Sequence, residues 1–232
     1  MPRHKAMDKD FVWTSKIAYI VGLLVTDGNL SKDGRHICFR SSDLQLINTF
    51  KDCLLITNSI AQSHDDTWAT KPCHRIQFGN VQFYRWLLRN GLFPNKTYTI
   101  GDINIPGNYF PDFLRGHLDS DGDICTYIDR YNETKNPDYV YPRLYVRFRS
   151  ASKIYMEWMQ KMIMKIINVE GSLSKQKATK SYQTTSMWIL RFAKKESIKL
   201  LSQLYYQPEV PCLYRKKDIF EQFMQRNSVL LK

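Results

Sequence analysis

Two aspartates, Asp27 and Asp121, close segments of the same shape: Ile20-Val21-Gly22-Leu23-Leu24-Val25-Thr26-Asp27-Gly28 and Leu114-Arg115-Gly116-His117-Leu118-Asp119-Ser120-Asp121-Gly122. In each, a glycine between apolar residues, with Arg115 and His117 also flanking it in the second copy, is followed four positions later by a small hydroxyl residue, then an acid and a second glycine. This pattern predicts a packed helix that delivers a carboxylate at its C-terminal end. Such an end already carries about half a unit of negative charge, so an acid there is unfavourable by roughly 0.3–1 kcal/mol. Doing this twice calls for a cation, and a hard divalent ion such as Mg2+ or Mn2+ suits carboxylate oxygens. The carbonyls of Thr26 and Ser120, next to the acids, are candidate further ligands. One Asp-Gly marks a turn; a matched pair points to a shared metal centre.

Glycine sets the helices that must position these acids. Gly28 and Gly122 are expected just past each helix in the left-handed conformation that glycine adopts freely. Ala18, Gly22 and Thr26 recur every fourth residue, and Gly116 and Ser120 repeat the last two, giving each helix a narrow stripe along which another backbone can approach. The longest apolar stretch, Ala18 to Val25, is too short to span a bilayer, so no membrane association is expected.

Both segments resemble the LAGLIDADG motif, and the chain resembles the homing endonucleases that carry two such motifs in one chain. Phe113 to Gly122 is the closer match; in the first copy Val25 replaces the earlier acid that Asp119 keeps, and His117 stands where the family has an apolar residue. The resemblance implies an α+β fold of two pseudo-symmetric αββαββα units packed through the motif helices, their antiparallel sheets forming a saddle over double-stranded DNA. It implies that Asp27 and Asp121 are the metal ligands and catalytic acids of a nuclease that hydrolyses both strands of a long asymmetric target. The earlier acid is not a ligand in the family. A basic residue beside each centre is also implied: Lys96 in the first half, and Lys216 or Arg215 at the corresponding place in the second. The alternative is a non-cleaving protein of the same fold, an intron RNA maturase or a DNA-binding regulator; retention of both acids favours the nuclease. An unrelated basic structural protein would leave the doubled motif unexplained.

The composition agrees with a polyanionic partner: 34 Lys and Arg against 22 acids give a net charge of +12 over 232 residues. Five cysteines, an odd number without C-x-x-C spacing, argue against a zinc site or disulfide framework and for a reducing intracellular compartment, cytoplasm or organelle matrix. The basic start is followed by no signal-peptide core, so secretion is not expected. With both motifs in one chain, a monomer is expected.

Residues 13–105 and 106–232 repeat one order of elements, joined at Gly101 to Tyr109, and Pro111 suits the first turn of the second motif helix. Along 143–149, Leu144, Val146 and Phe148 alternate with Arg143, Tyr145, Arg147 and Arg149. The first set predicts a core face. The second predicts an open face of one charge sign, suited to phosphates and guanine edges. The counterpart in the first half shows His36, Cys38 and Arg40, a less basic surface, so the halves are expected to read different half-sites. Arg75, Gln77, Lys175, Lys177, Lys180, Gln183 and Arg191 are DNA-binding candidates from the later hairpins. Trp86, Trp158 and Trp188 fall at core positions, and Asp43, Asp119 and Asp123 are neighbouring acids without an assigned role.

Overall fold

In the computed structural model, which describes residues 11–63, 72–135, 137–176 and 186–227, Thr14 caps the first helix, its Oγ1 accepting the Ile17 N–H at 3.2 Å. That helix, α1 (Ser15–Asp27), is buried all round from Ala18 to Val25, as an apolar helix without a polar stripe must be. It runs directly into β1 (Gly28–Leu30), followed by β2 (His36–Ser41), α2 (Leu44–Leu54), β3 (Ile60–Ser63), β4 (Cys73–Gly79) and α3 (Val81–Arg89). After 3-10 turns at Lys96–Tyr98 and Gly107–Tyr109 the order repeats as α4 (Phe110–Asp121), β5 (Asp123–Asp129), β6 (Tyr141–Ser150), α5 (Lys153–Ile167), β7 (Ser172–Gln176), β8 (Met187–Phe192) and α6 (Lys194–Leu204). The second half then adds α7 (Tyr214–Asn227), which the αββαββα pattern does not contain.

Each half forms one four-stranded antiparallel sheet, in the orders β1-β2-β4-β3 and β5-β6-β8-β7. The same permutation twice makes the duplication visible in topology. Strand alternation puts Phe39 opposite Ile76 and Phe148 opposite Leu190 on the helix-covered faces, where all four are buried. Trp86 and Trp158 lie in the core as expected, while Trp188 is only half-buried, with the ammonium groups of Lys153 and Lys175 at 5.4 and 6.0 Å from its ring. Among the described residues no helix is long and apolar enough to cross a membrane.

The two motif helices join the halves. A Cβ built on Gly22 lies 2.1 Å from Phe113 O, and one on Gly116 lies 2.1 Å from Tyr19 O. Only hydrogen fits at either point, so the small-residue stripes do set the crossing. Gly28 and Gly122, however, are not left-handed: their φ values are −85° and −82°, in extended backbone. Each helix turns straight into a strand, which requires extended geometry. Glycine serves there because a Cβ would meet Leu24 O at 2.5 Å in the first half and Leu118 Cδ1 at 2.7 Å in the second. Left-handed closures occur instead at Leu55 (φ 54°) and Asn168 (φ 56°), the C-caps of α2 and α5.

Candidate active site

Asp27 and Asp121 are the last residues of α1 and α4, and the glycine crossing brings these ends together. Ser120 Oγ donates across the seam to Asp27 Oδ2. Each carboxylate is open to solvent on one side and crowded by protein on the other. Burial raises the pKa of Asp27, opposed by the Ser120 hydrogen bond and by the charges of Lys216 and Lys96. Burial and then the Asp27 charge push Asp121 up to about 6. Two acids at the negative ends of two helices, each made harder to ionise, fit a hard divalent cation that would relieve both. Among the described residues no group of three or more His, Cys, Asp or Glu side chains gathers, so backbone, water or phosphate oxygens would complete the coordination. The Thr26 hydroxyl turns back to Leu23 O at 2.8 Å, leaving its carbonyl as the group of interest.

Two buried lysines sit beneath these ends. Lys96 Nζ donates to Gly28 O, and Lys216 Nζ donates to Leu118 O at 2.6 Å, Asp119 O at 2.8 Å and Gly122 O at 2.6 Å. Each ammonium therefore lies at the C-terminus of its own half's motif helix, where a cation is favourable. Burial lowers both to about 8, resisted by Asp27 at Lys96 and most strongly by Asp119 at Lys216. Arg215, the other candidate, points away and pairs with Asp43 at 3.0 Å. A cleft of about 160 Å3 opens beside Asp121 and is lined in part by Thr26, Lys96, His117, Arg149 and Tyr155. His117, where the sequence comparison expected an apolar side chain, is a neutral ring stacked on Tyr155 at 5.6 Å, with burial lowering its pKa to about 3.

Asp119 is buried, pushed up to about 6 by that burial, and its Oδ2 accepts both the Tyr19 hydroxyl and the Leu213 N–H at 2.8 Å. Nearby are residues that sequence reasoning missed. Arg115, fully buried, pairs with Asp112 at 2.6 Å and donates to Leu204 O at 2.6 Å and Pro211 O at 2.8 Å. Gln45 of α2 donates to Cys212 O at 2.8 Å and accepts the Tyr214 N–H at 3.1 Å. The available signal for Arg115 was an opposite charge three residues away inside an apolar helix; Gln45 had none.

On the sheets' open faces, Arg40 and Arg75 stand opposite one another, both exposed and, among the described residues, without a carboxylate partner. Like charges in register repel, which favours an anion between them. Gln77 is exposed on the same face, while His36 is engaged by Asp33. In the second half Arg191 lies 4.1 Å over the Tyr145 ring. The expectation of a single charge sign on β6 is corrected. Arg143 pairs with Asp129 at 2.7 Å, and Arg147 and Arg149 pair with Asp123 at 2.6 and 2.9 Å, because β5 brings these acids alongside. Lys175 is corrected too: it lies opposite Trp188 on the helix-covered side of the sheet. Lys177, Lys180 and Gln183 lie outside the described residues.

Residues 14–90 match the family described as LAGLIDADG-like domain. Among curated proteins, none matches the chain by sequence. In fold, the chain is similar to the I-LtrWI LAGLIDADG homing endonuclease bound to target DNA, with TM-score 0.60, 12% identity, and 93% of this chain and 90% of that one covered. It is similar to I-DmoI in complex with DNA and Mn, with TM-score 0.50, 15% identity, and 83% and 97% covered. It is also similar to full-length DUF199/WhiA from Thermatoga maritima, with TM-score 0.55 and 12% identity; 92% of this chain is covered, and it spans 60% of that one.

Proposed function

We propose that this chain, whose residues 14–90 match a LAGLIDADG-like domain and whose described residues form two units similar in fold to LAGLIDADG homing endonucleases, is a site-specific double-strand DNA endonuclease acting as a monomer. The observation that carries the reading is the meeting of Asp27 and Asp121 at adjoining helix ends, joined by Ser120. These two carboxylates, with the Thr26 and Ser120 carbonyls, would hold Mg2+ or Mn2+. The ion, when bound, polarises a phosphoryl oxygen and lowers the pKa of bound water. The chain's own work is positional and electrostatic. α1 and α4 fix the acids at the seam, and Lys96 and Lys216 place positive charge beside them. Arg40, Arg75, Gln77 and Arg191 offer donors to phosphates and base edges from the open faces. Arg143, Arg147 and Arg149 are held by Asp129 and Asp123 and present the donors those acids leave over, oriented for a groove. Because the two faces differ, the target is asymmetric.

The test is cleavage-site selection from a randomised duplex library with the wild type, Asp27→Asn and Asp121→Asn, in Mg2+, Mn2+ and chelator. A selected site cut by the wild type in metal and by neither variant supports the assignment. Selective retention of DNA without cutting would identify a binding protein of the same fold, a regulator or maturase, instead.

A further inference from the structure

The two buried lysines hold similar places and differ in what their ammonium groups have left to offer. A lysine has three N–H donors. Those of Lys216 meet three carbonyls, Leu118 O, Asp119 O and Gly122 O, at 2.6–2.8 Å. The backbone leading to Lys216 is fixed as well. Arg115 and Gln45 donate to Pro211 O and Cys212 O at 2.8 Å, Asp119 accepts the Leu213 N–H at 2.8 Å, and Gln45 accepts the Tyr214 N–H at 3.1 Å. Asp119 thus holds the segment with its carboxylate and the ammonium with its carbonyl.

Lys96 differs on each count. Among the described residues its Nζ makes one hydrogen bond, to Gly28 O. It rides on a single 3-10 turn and lines the open cleft beside Asp121, together with Arg149. Val25, the counterpart of Asp119, has no side-chain polar atom with which to hold that turn.

We propose that Lys96 is the ammonium that contacts a nucleic-acid phosphate at the seam, whereas Lys216 is a positioning cation whose donors are all engaged by the end of α4. This rests on the reading of the chain as a DNA-binding protein and is independent of whether it cleaves. The test is the salt dependence of binding to a mixed-sequence duplex long enough to cover both halves, in chelator, for wild type, Lys96→Met and Lys216→Met, with Tm measured in parallel. Each phosphate contact contributes about 0.9 to the slope of log K against log salt. Lys96→Met is expected to reduce the slope by about that amount. Lys216→Met is expected to keep the slope and lose several degrees of Tm, because three carbonyls lose their donor. Lys216→Gln, which keeps two N–H donors, replaces the methionine variant if that does not fold. An unchanged slope in Lys96→Met, or an equal fall in both variants, overturns the proposal. A wild type that does not bind the duplex removes the DNA-binding reading, and the proposal with it.

Discussion

Replacing Gly22 by alanine places a carbon 2.1 Å from Phe113 O and 2.8 Å from His117 N, and the same change at Gly116 places one 2.1 Å from Tyr19 O. A carbon and a carbonyl oxygen rest about 3.3 Å apart, so each alanine pushes α1 and α4 apart by roughly 1 Å. The atoms in the way are backbone, and no side chain can swing aside to absorb the clash. Overpacking of this kind costs about 1–3 kcal/mol, at the upper end here, and the better helix propensity of alanine offsets about 1 kcal/mol of it. The net loss is about 2 kcal/mol, a fall in Tm of about 4–8 °C for a chain of this size. The same movement separates Asp27 from Asp121, and a displacement of about 1 Å at reacting groups costs on the order of 100-fold in rate. Thermal unfolding by circular dichroism with and without Mg2+, combined with single-turnover cleavage of the selected site, reads both effects. Gly101→Ala is the control, since its new carbon meets only Ile154 Cγ2 at 3.9 Å. A Gly22→Ala protein with wild-type Tm and wild-type stabilisation by metal would refute this account of the seam.

Protonation gives a second expectation. Asp121 is raised from 3.8 to about 6, so the folded state binds its proton more tightly and metal-free stability from this group falls as pH rises through that interval. A divalent ion must displace the proton, so the Tm gain from Mn2+ should be small near pH 5 and full above about pH 7; a gain independent of pH counts against Asp121 as a ligand. Arg115→Met strands Asp112 in the core and should cost about 3–5 kcal/mol in urea unfolding, with the Asp112→Leu, Arg115→Met double variant recovering much of it; a single-variant loss below about 1 kcal/mol contradicts the buried pair. Asp129→Asn releases Arg143 and should tighten duplex binding at low salt while steepening the salt slope by up to about 0.9; unchanged anisotropy curves would show that Arg143 does not reach DNA.

Much of the fold was legible because its signals are local. The α+β repeat follows from two apolar helices and from strands that alternate with period two, as Leu144, Val146 and Phe148 do in β6. The acids were legible because the motif was doubled. What could not be read depends on neighbours distant in the chain or on backbone detail. Asp123 and Asp129 pair with the three arginines of β6 and offset part of their charge through strand pairing, which the alternation within one strand does not encode. Gly28 and Gly122 were recognised as special, but the helix-to-strand turn made the constraint one of space rather than handedness. Lys175 was basic and on the right strand, yet its register sends it to the side of Trp188. The Gln45 hold on residues 212–214 joins positions more than 160 apart in sequence, beyond any periodic signal.

That hold limits how far the halves can be treated as interchangeable modules. Asp43 and Gln45 belong to the first unit, yet they grip the start of α7 in the second. A chimera cut only at the connection near Pro106 would graft a C-terminal helix onto a foreign α2 that lacks its receptor. Recombining such units with others of their kind therefore means transplanting the N-terminus of α2 along with the new half, or redesigning residues 211–215 to suit a different host.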